Sequence, residues 1–71
     1  MEYRDSAIES LYMKARVDRA EALCSLNIML DHPAGIGDHS TEDLHSNLNE
    51  ALSKLADAED RLDTLDRWFP Q

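Results

Sequence analysis

Apolar residues recur at a heptad spacing through the second half of the chain. One set falls at every seventh position: Leu48, Leu55, Leu62 and Phe69. A second set lies four residues before each member of the first: Leu44, Ala51, Ala58 and Leu65. This alternation is typical of the a and d positions of a coiled coil, and it predicts one long helix with a narrow apolar edge. Such an edge has to be covered by another helix, of the same chain or of a second copy.

Helix-breaking residues cluster between residues 31 and 39 and divide the chain into two helical segments. Pro33 disfavours helical geometry at the residue before it. Gly35 and Gly37 can adopt positive φ angles at little cost, which favours a reversal of the chain. We therefore expect a first helix at about residues 4–31 and a loop at about residues 32–39.

The second helix has clear start and stop signals. Ser40 fits an N-cap, and Asp43, three residues later, can complete a capping box. Pro70 ends the helix at or just before Phe69. The expected second helix covers about residues 40–69, and residues 1–71 form a single domain.

The first helix has a less regular apolar stripe at spacings of three and four. Its members are Ile8, Leu11, Tyr12, Ala15, Ala22, Leu23, Leu26, Met29 and Leu30. Asp18 and Arg19 stand where the next apolar residue is due, so we expect two apolar patches separated by a charged waist. Met13 and Val17 lie off the stripe, which suggests contact with more than one neighbouring helix.

Matched helix lengths and a short connection predict an antiparallel helical hairpin. Seventy-one residues are close to the size below which one core rarely stabilises a fold, and the single Cys24 cannot form an internal disulfide. Pairing two hairpins into a homodimeric four-helix bundle would cover the remaining apolar surface. The residues expected in the core of this oligomer are Leu48, Leu55, Leu62 and Phe69.

The formal charge of −8, from fifteen acidic and seven basic residues, opposes general attraction to nucleic acid or to anionic lipid. Neither an apolar stretch long enough for a membrane span nor an N-terminal signal segment is visible. These features predict a soluble intracellular protein without a direct nucleic-acid or membrane partner.

Candidate chemistry is sparse along the chain. Glu42 and His45 have the Glu-x-x-His spacing of di-iron bundles, but Glu42 is expected to face water. Polar residues near the predicted turn match neither a calcium loop nor a zinc knuckle: Asp31, His32, Asp38 and His39. Cys24, in the middle of a helix, is expected to be a small buried residue. We expect no enzyme activity, no cofactor and no bound metal, with a metal-binding bundle kept as an alternative.

Acidic residues dominate one part of the second helix: Asp57, Glu59, Asp60, Asp63 and Asp66. Aromatic residues are expected at the end of the hairpin where the chain termini meet: Tyr3, Trp68 and Phe69. Exposed aromatic rings beside acids can form a docking site for a protein partner; alternatively the rings only cap the end of the bundle and the acids are a solvated helix exterior. The candidate partner-binding residues are Asp60, Asp63 and Trp68. An alternative is an acidic inhibitor that mimics nucleic acid and occupies the basic site of another protein.

The segment from Leu26 to His39, with the loop His-Pro-Ala-Gly-Ile-Gly-Asp-His, resembles short uncharacterised helical proteins of tailed phages, especially phages of marine cyanobacteria. The similarity extends into the heptad helix, from Lys54 to Leu62. The resemblance implies a small protein made in the cytoplasm of an infected host cell, with a role in host takeover or as a component of the virion. It implies a host or phage protein as a partner, and it assigns no role to any residue.

Overall fold

Two long helices account for most of the residues that the computed structural model describes, which are 2–31 and 41–71. Helix α1 spans Tyr3–Asp31 and helix α2 spans Thr41–Trp68. The described residues contain no strand, and the expected all-α fold of two packed helices is confirmed. The predicted turn at 32–39, with its glycine positions, and the Ser40 cap lie outside the described residues.

Local sequence explains where the helices start and stop. No glycine or proline interrupts either helix. Acidic side chains in the first turns, Asp5 in α1 and Glu42 in α2, favour the positive ends of the helix dipoles, and Arg67 favours the negative end of α2. Pro70 cannot continue a helix, and α2 ends before it with a 2.7 Å bond from the Phe69 N–H to the Leu65 carbonyl.

Two polar contacts show that the helices are antiparallel. The Tyr12 hydroxyl donates to Asp66 Oδ1 at 2.9 Å, and Arg61 Nη2 donates to Asp18 Oδ2 at 2.8 Å. Moving forward along α1 therefore means moving backward along α2. Extending this register at about 1.5 Å per residue places Ala22 level with Ala58.

The interface between the helices is built from small residues over much of its length. The buried residues are Tyr12, Ala15, Ala22, Ala51, Ala58, Leu62 and Leu65. Alanines on both helices let the two backbones approach closely, and the larger side chains fill the space towards the chain termini. The seam predicted for α2 is present, because Ala51, Ala58 and Leu65 all face α1.

The orientation of α1 departs from the predicted stripe at several positions. Leu11, Leu23 and Leu30 were expected in the core, but each is substantially exposed. Cys24 was expected to be buried and is exposed as well, so that prediction is wrong. The reason is that α1 has apolar residues around most of its circumference, and α2 alone can cover only one side.

The hairpin is a thin rod with a large surface for its mass. Its extents are 52 × 18 × 15 Å and its radius of gyration is 15.9 Å, whereas a compact domain of this length has a radius near about 11 Å. Its accessible surface of 5550 Å² exceeds the roughly 4,500 Å² typical of a folded monomer of 8.1 kDa. A single hairpin therefore leaves apolar surface in water that a larger assembly could cover.

Candidate protein-interaction surfaces

Tyr12 anchors the end of the hairpin where the chain termini meet. Its ring is buried, and its single hydroxyl proton is shared between two acceptors, Asp66 Oδ1 at 2.9 Å and the Phe69 carbonyl oxygen at 3.0 Å. The guanidinium of Arg16 lies over the ring, 5.3 Å from its centroid. The pKa of Tyr12 is raised, first because burial disfavours the phenolate and then because the Asp66 carboxylate accepts its hydrogen bond. The phenol is thus held neutral as a donor that joins the last turn of α2 to α1.

The charged interruption predicted in the apolar stripe of α1, at Asp18, forms a contact between the two helices. Asp18 accepts hydrogen bonds from Lys14, one turn earlier, and from Arg61 on α2, both at 2.8 Å. Arg61 also donates through Nε to Asp57 at 3.1 Å. Hydrogen bonds from Lys14 and then from Arg61 lower the pKa of Asp18. The interruption of the apolar stripe is therefore explained, because Asp18 faces a matching cation.

This cluster lies in a groove of about 730 Å³ along one side of the hairpin. We call it the charged groove, and its ionisable residues are Asp18, Glu21, Glu50, Lys54, Asp57 and Arg61. Lys54 is paired with Glu50 at 3.2 Å, so many of these charges are compensated within the hairpin. Apolar side chains line the groove too, namely Ala22, Ile28, Met29 and Ala51, so it combines paired charges with apolar surface.

The opposite side of the hairpin is aliphatic. Successive residues of an α-helix are rotated by about 100° around its axis. This rotation places six leucines of the two helices on the side that carries the Tyr12–Asp66 hydrogen bond, away from the charged groove. They form the leucine face, which consists of Leu23, Leu26, Leu30, Leu48, Leu52 and Leu55. Three remain 42%, 60% and 53% exposed, namely Leu23, Leu30 and Leu52, and the other three are half-buried. The leucine face therefore places exposed aliphatic side chains of both helices on one side of the hairpin.

Charged residues continue this side towards the chain termini. Arg19 is half-buried on α1, and Glu59 is exposed at nearly the same level on α2. Asp63 follows Glu59 one turn later. The side that carries the leucine face therefore has a basic edge on α1 and an acidic edge on α2.

The three candidate partner-binding residues are all exposed, but they do not share one face. Asp63 lies beside the leucine face. Measured around the axis of α2, Asp60 lies about 60° and Trp68 about 140° from Asp63, away from that face. Four residues lie along one side of α2, which we call the outer row: Asp57, Asp60, Thr64 and Trp68. The outer row lies near the charged groove and away from α1.

The four residues predicted for the oligomer core have different environments in the hairpin. Leu62 is buried with Tyr12 and Leu65 inside the hairpin itself. Leu48 and Leu55 are half-buried and belong to the leucine face. Phe69 follows the last residue of α2 and is 37% exposed, with the Arg4 guanidinium 5.6 Å from its ring centroid.

Among residues 2–31 and 41–71, no group of three or more histidine, cysteine, aspartate or glutamate side chains could hold a metal ion. Glu42 and His45, the pair with di-iron spacing, are both exposed. The predicted polar cluster around His32 and His39 falls outside the described residues. Neither described helix has a long enough apolar segment to cross a lipid bilayer.

Comparison with known proteins identifies no relative. No protein-family model matches the chain, and no curated protein or solved structure matches it significantly.

Proposed function

We propose that this protein is a self-associating helical hairpin that pairs through its leucine face into a homodimeric four-helix bundle and acts as a non-enzymatic interaction module. The observation that carries the proposal is the exposure of Leu23, Leu30 and Leu52 on one side of the rod. Contiguous apolar surface on a small protein marks an interaction site, since its burial is favourable. The charged groove on the other side already satisfies many of its own charges.

A two-fold axis parallel to the helices brings the leucine faces together. In this arrangement α1 packs against its own α2 and against α2 of the partner, and every neighbouring pair is antiparallel. Arg19 then lies at the level of Glu59 of the partner subunit. The basic edge of one hairpin therefore meets the acidic edge of the other, and this complementarity favours the same register as the leucines.

Sedimentation equilibrium of charged variants tests the dimer. Leu52→Glu puts a carboxylate in the middle of the leucine face, where burial without a partner is costly, so we expect pairing through this face to be lost while the helices stay folded. Ser53→Glu is the matched control, since it adds the same charge one residue away on the exposed side of α2. If Leu52→Glu leaves the strength of self-association unchanged, with intact helicity by circular dichroism, the proposed interface is contradicted.

The dimer leaves the outer row of α2 free for another protein. Asp60 and Trp68 combine a negative charge with an exposed aromatic ring, which suits a partner with a basic surface; the charge of Asp57 beside them is compensated by Arg61. A basic nucleic-acid-binding protein is one such partner, consistent with the inhibitor alternative. With the resemblance to small phage proteins, we propose that the hairpin acts in the cytoplasm of an infected bacterium, in host takeover or as a component of the virion.

Capture experiments with matched variants test this second surface. A partner that docks there is retained by the wild-type dimer and by Glu42→Arg, but it is lost with Asp60→Arg and with Trp68→Ala. The complex should also weaken with increasing salt, because exposed charges are screened. A partner retained equally by all four proteins rules out the outer row as its docking site.

A further inference from the structure

A second exposed stripe runs along the back of α1. Its residues follow one another at spacings of four, three and four: Met13, Val17, Ala20 and Cys24. Met13 and Val17 are more than half exposed, and Ala20 and Cys24 are exposed too. These spacings match alternating d and a positions of a coiled coil. We call this set the back stripe.

Neither α2 nor the proposed dimer covers the back stripe. Val17 lies about 160° around α1 from Ala15, which faces α2. The leucine face of α1, at Leu23, is about 120° from Val17. In a four-helix bundle the back stripe therefore points away from the bundle core and stays in water.

The residues beside the back stripe are complementary to the same residues of a second copy. In a parallel coiled coil, a g residue on one helix meets the e residue five positions later on the other. Taking Met13 as d, the three successive g-to-e pairs are Glu9 with Lys14, Arg16 with Glu21, and Leu23 with Ile28. Two are pairs of opposite charge and the third is a pair of apolar side chains.

An antiparallel pairing matches the flanks less well. The best antiparallel register also brings Lys14 to Glu21 of the second copy, but it leaves Arg16 facing leucine. The parallel register uses every flanking charge between Glu9 and Glu21 that borders the stripe. Lys14 can take part while keeping its bond to Asp18, since its ammonium group has three donors and remains 70% exposed.

We propose that the back stripe of α1 pairs with the back stripe of a second copy as a short, parallel, in-register coiled coil. The contact shares only Leu23, at its edge, with the leucine face, and it goes beyond the proposed function by giving each hairpin a second self-association surface. With both contacts present, hairpins join into oligomers larger than a dimer. With the leucine face disabled, the back stripe still produces a dimer.

Cys24 provides a native reporter of this register. It occupies an a position, so the parallel pairing brings the two Cys24 thiols of a pair face to face, within the reach of a disulfide. Copper phenanthroline with oxygen removes two electrons and two protons from such a pair and leaves a covalent dimer. We expect this product on a non-reducing gel, both for the wild type and for Leu52→Glu.

Moving the thiol gives the matched control. The variant Cys24→Ser with Ser25→Cys shifts the thiol about 100° away from the stripe, and its oxidation should be slower by about tenfold because the local thiol concentration falls. Cys24→Ser with Val17→Cys returns the thiol to an a position and should restore fast cross-linking. Equal rates for all three thiol positions overturn the proposal.

Charge exchange tests the flanking pairs. Lys14→Glu should slow the oxidation of Cys24, and the double variant with Glu9→Lys should restore it, with helicity checked by circular dichroism in each case. Loss of cross-linking in Leu52→Glu would show that the thiols meet through the leucine-face dimer, which contradicts a separate contact. The two proposals can also fail separately. If the wild type forms no leucine-face dimer but a folded Leu52→Glu protein still cross-links, the proposed function is contradicted and the back-stripe contact is supported.

Discussion

Enlarging Ala58 should test the close approach of the two helices most sharply. Ala58 has no exposed surface, and the register places it level with Ala22 on α1, which is also buried. Leucine adds three carbon atoms at a point where both helices present only a methyl group. The helices must then separate or the new side chain must adopt a strained conformation.

The expected cost of Ala58→Leu is about 3 kcal/mol, at the upper end of the 1 to 3 kcal/mol typical of overpacking. We place it there because separating the helices also loosens the neighbouring contacts along the alanine seam. A chain of 71 residues has a total stability of only about 4 to 11 kcal/mol. The substitution should therefore remove a large fraction of the stability without changing the charge.

Urea unfolding followed by circular dichroism measures this cost, with all proteins at the same concentration. The control is Ala56→Leu, an identical change on the exposed side of α2, which should stay within about 0.5 kcal/mol. If Ala58→Leu is no more destabilising than Ala56→Leu, the helices do not approach at the alanines and the derived packing is wrong.

Three further predictions concern single contacts. Tyr12→Phe removes the donor to two acceptors and should lower the melting temperature, whereas Tyr3→Phe, at an exposed ring, should leave it unchanged. The lowered pKa of Asp18 means that its carboxylate stabilises the fold above about pH 4, and this contribution is lost as the pH falls through the folded-state pKa. The difference in stability between wild type and Asp18→Asn should therefore narrow below about pH 4. Leu55→Ala should lower the free energy of unfolding by about 2 to 5 kcal/mol, because a partner covers this half-buried side chain in the dimer. Glu59→Ala should lower it by less than about 0.5 kcal/mol, and equal losses would mean that the apolar side of α2 is misassigned.

The heptad pattern was sufficient to predict the buried seam of α2. Its alanines and leucines keep a strict heptad, so the side that faces α1 follows from spacing alone. Ala51, Ala58 and Leu65 are buried as that spacing requires. The end of α2 before Pro70 was also predictable, because proline cannot donate the helical hydrogen bond.

The rotation of α1 about its axis was not predictable in the same way. Apolar residues such as Met13, Val17 and Ile28 lie on the side of α1 opposite the one that faces α2, so several rotations bury comparable apolar area. The contact between Asp18 and Arg61 helps to fix the rotation, and it joins residues that are 43 positions apart in the sequence. A charge in an apolar stripe can indicate such a pair, but its partner is visible only once the register of the hairpin is known.

The prediction for Cys24 failed for the same reason. A small thiol in an apolar helix is usually buried, and here it lies on the side opposite α2. The candidate partner residues Asp60, Asp63 and Trp68 show a related limit, because proximity in sequence does not place residues on one helix face. Their separation around α2 assigns Asp63 to the edge of the leucine face and the other two to the outer row.

Isotope-filtered NMR on a mixture of labelled and unlabelled protein shows whether two hairpins pair through their leucine faces. The mixture contains protein with ¹³C-labelled leucine methyl groups and unlabelled protein, so that only contacts between copies are recorded. Pairing through the leucine face predicts intermolecular cross-peaks from the methyl groups of Leu23, Leu30 and Leu52, and none that originates from the buried Leu62. A folded protein of 8.1 kDa in solution that shows no intermolecular cross-peak from the leucine face would contradict it.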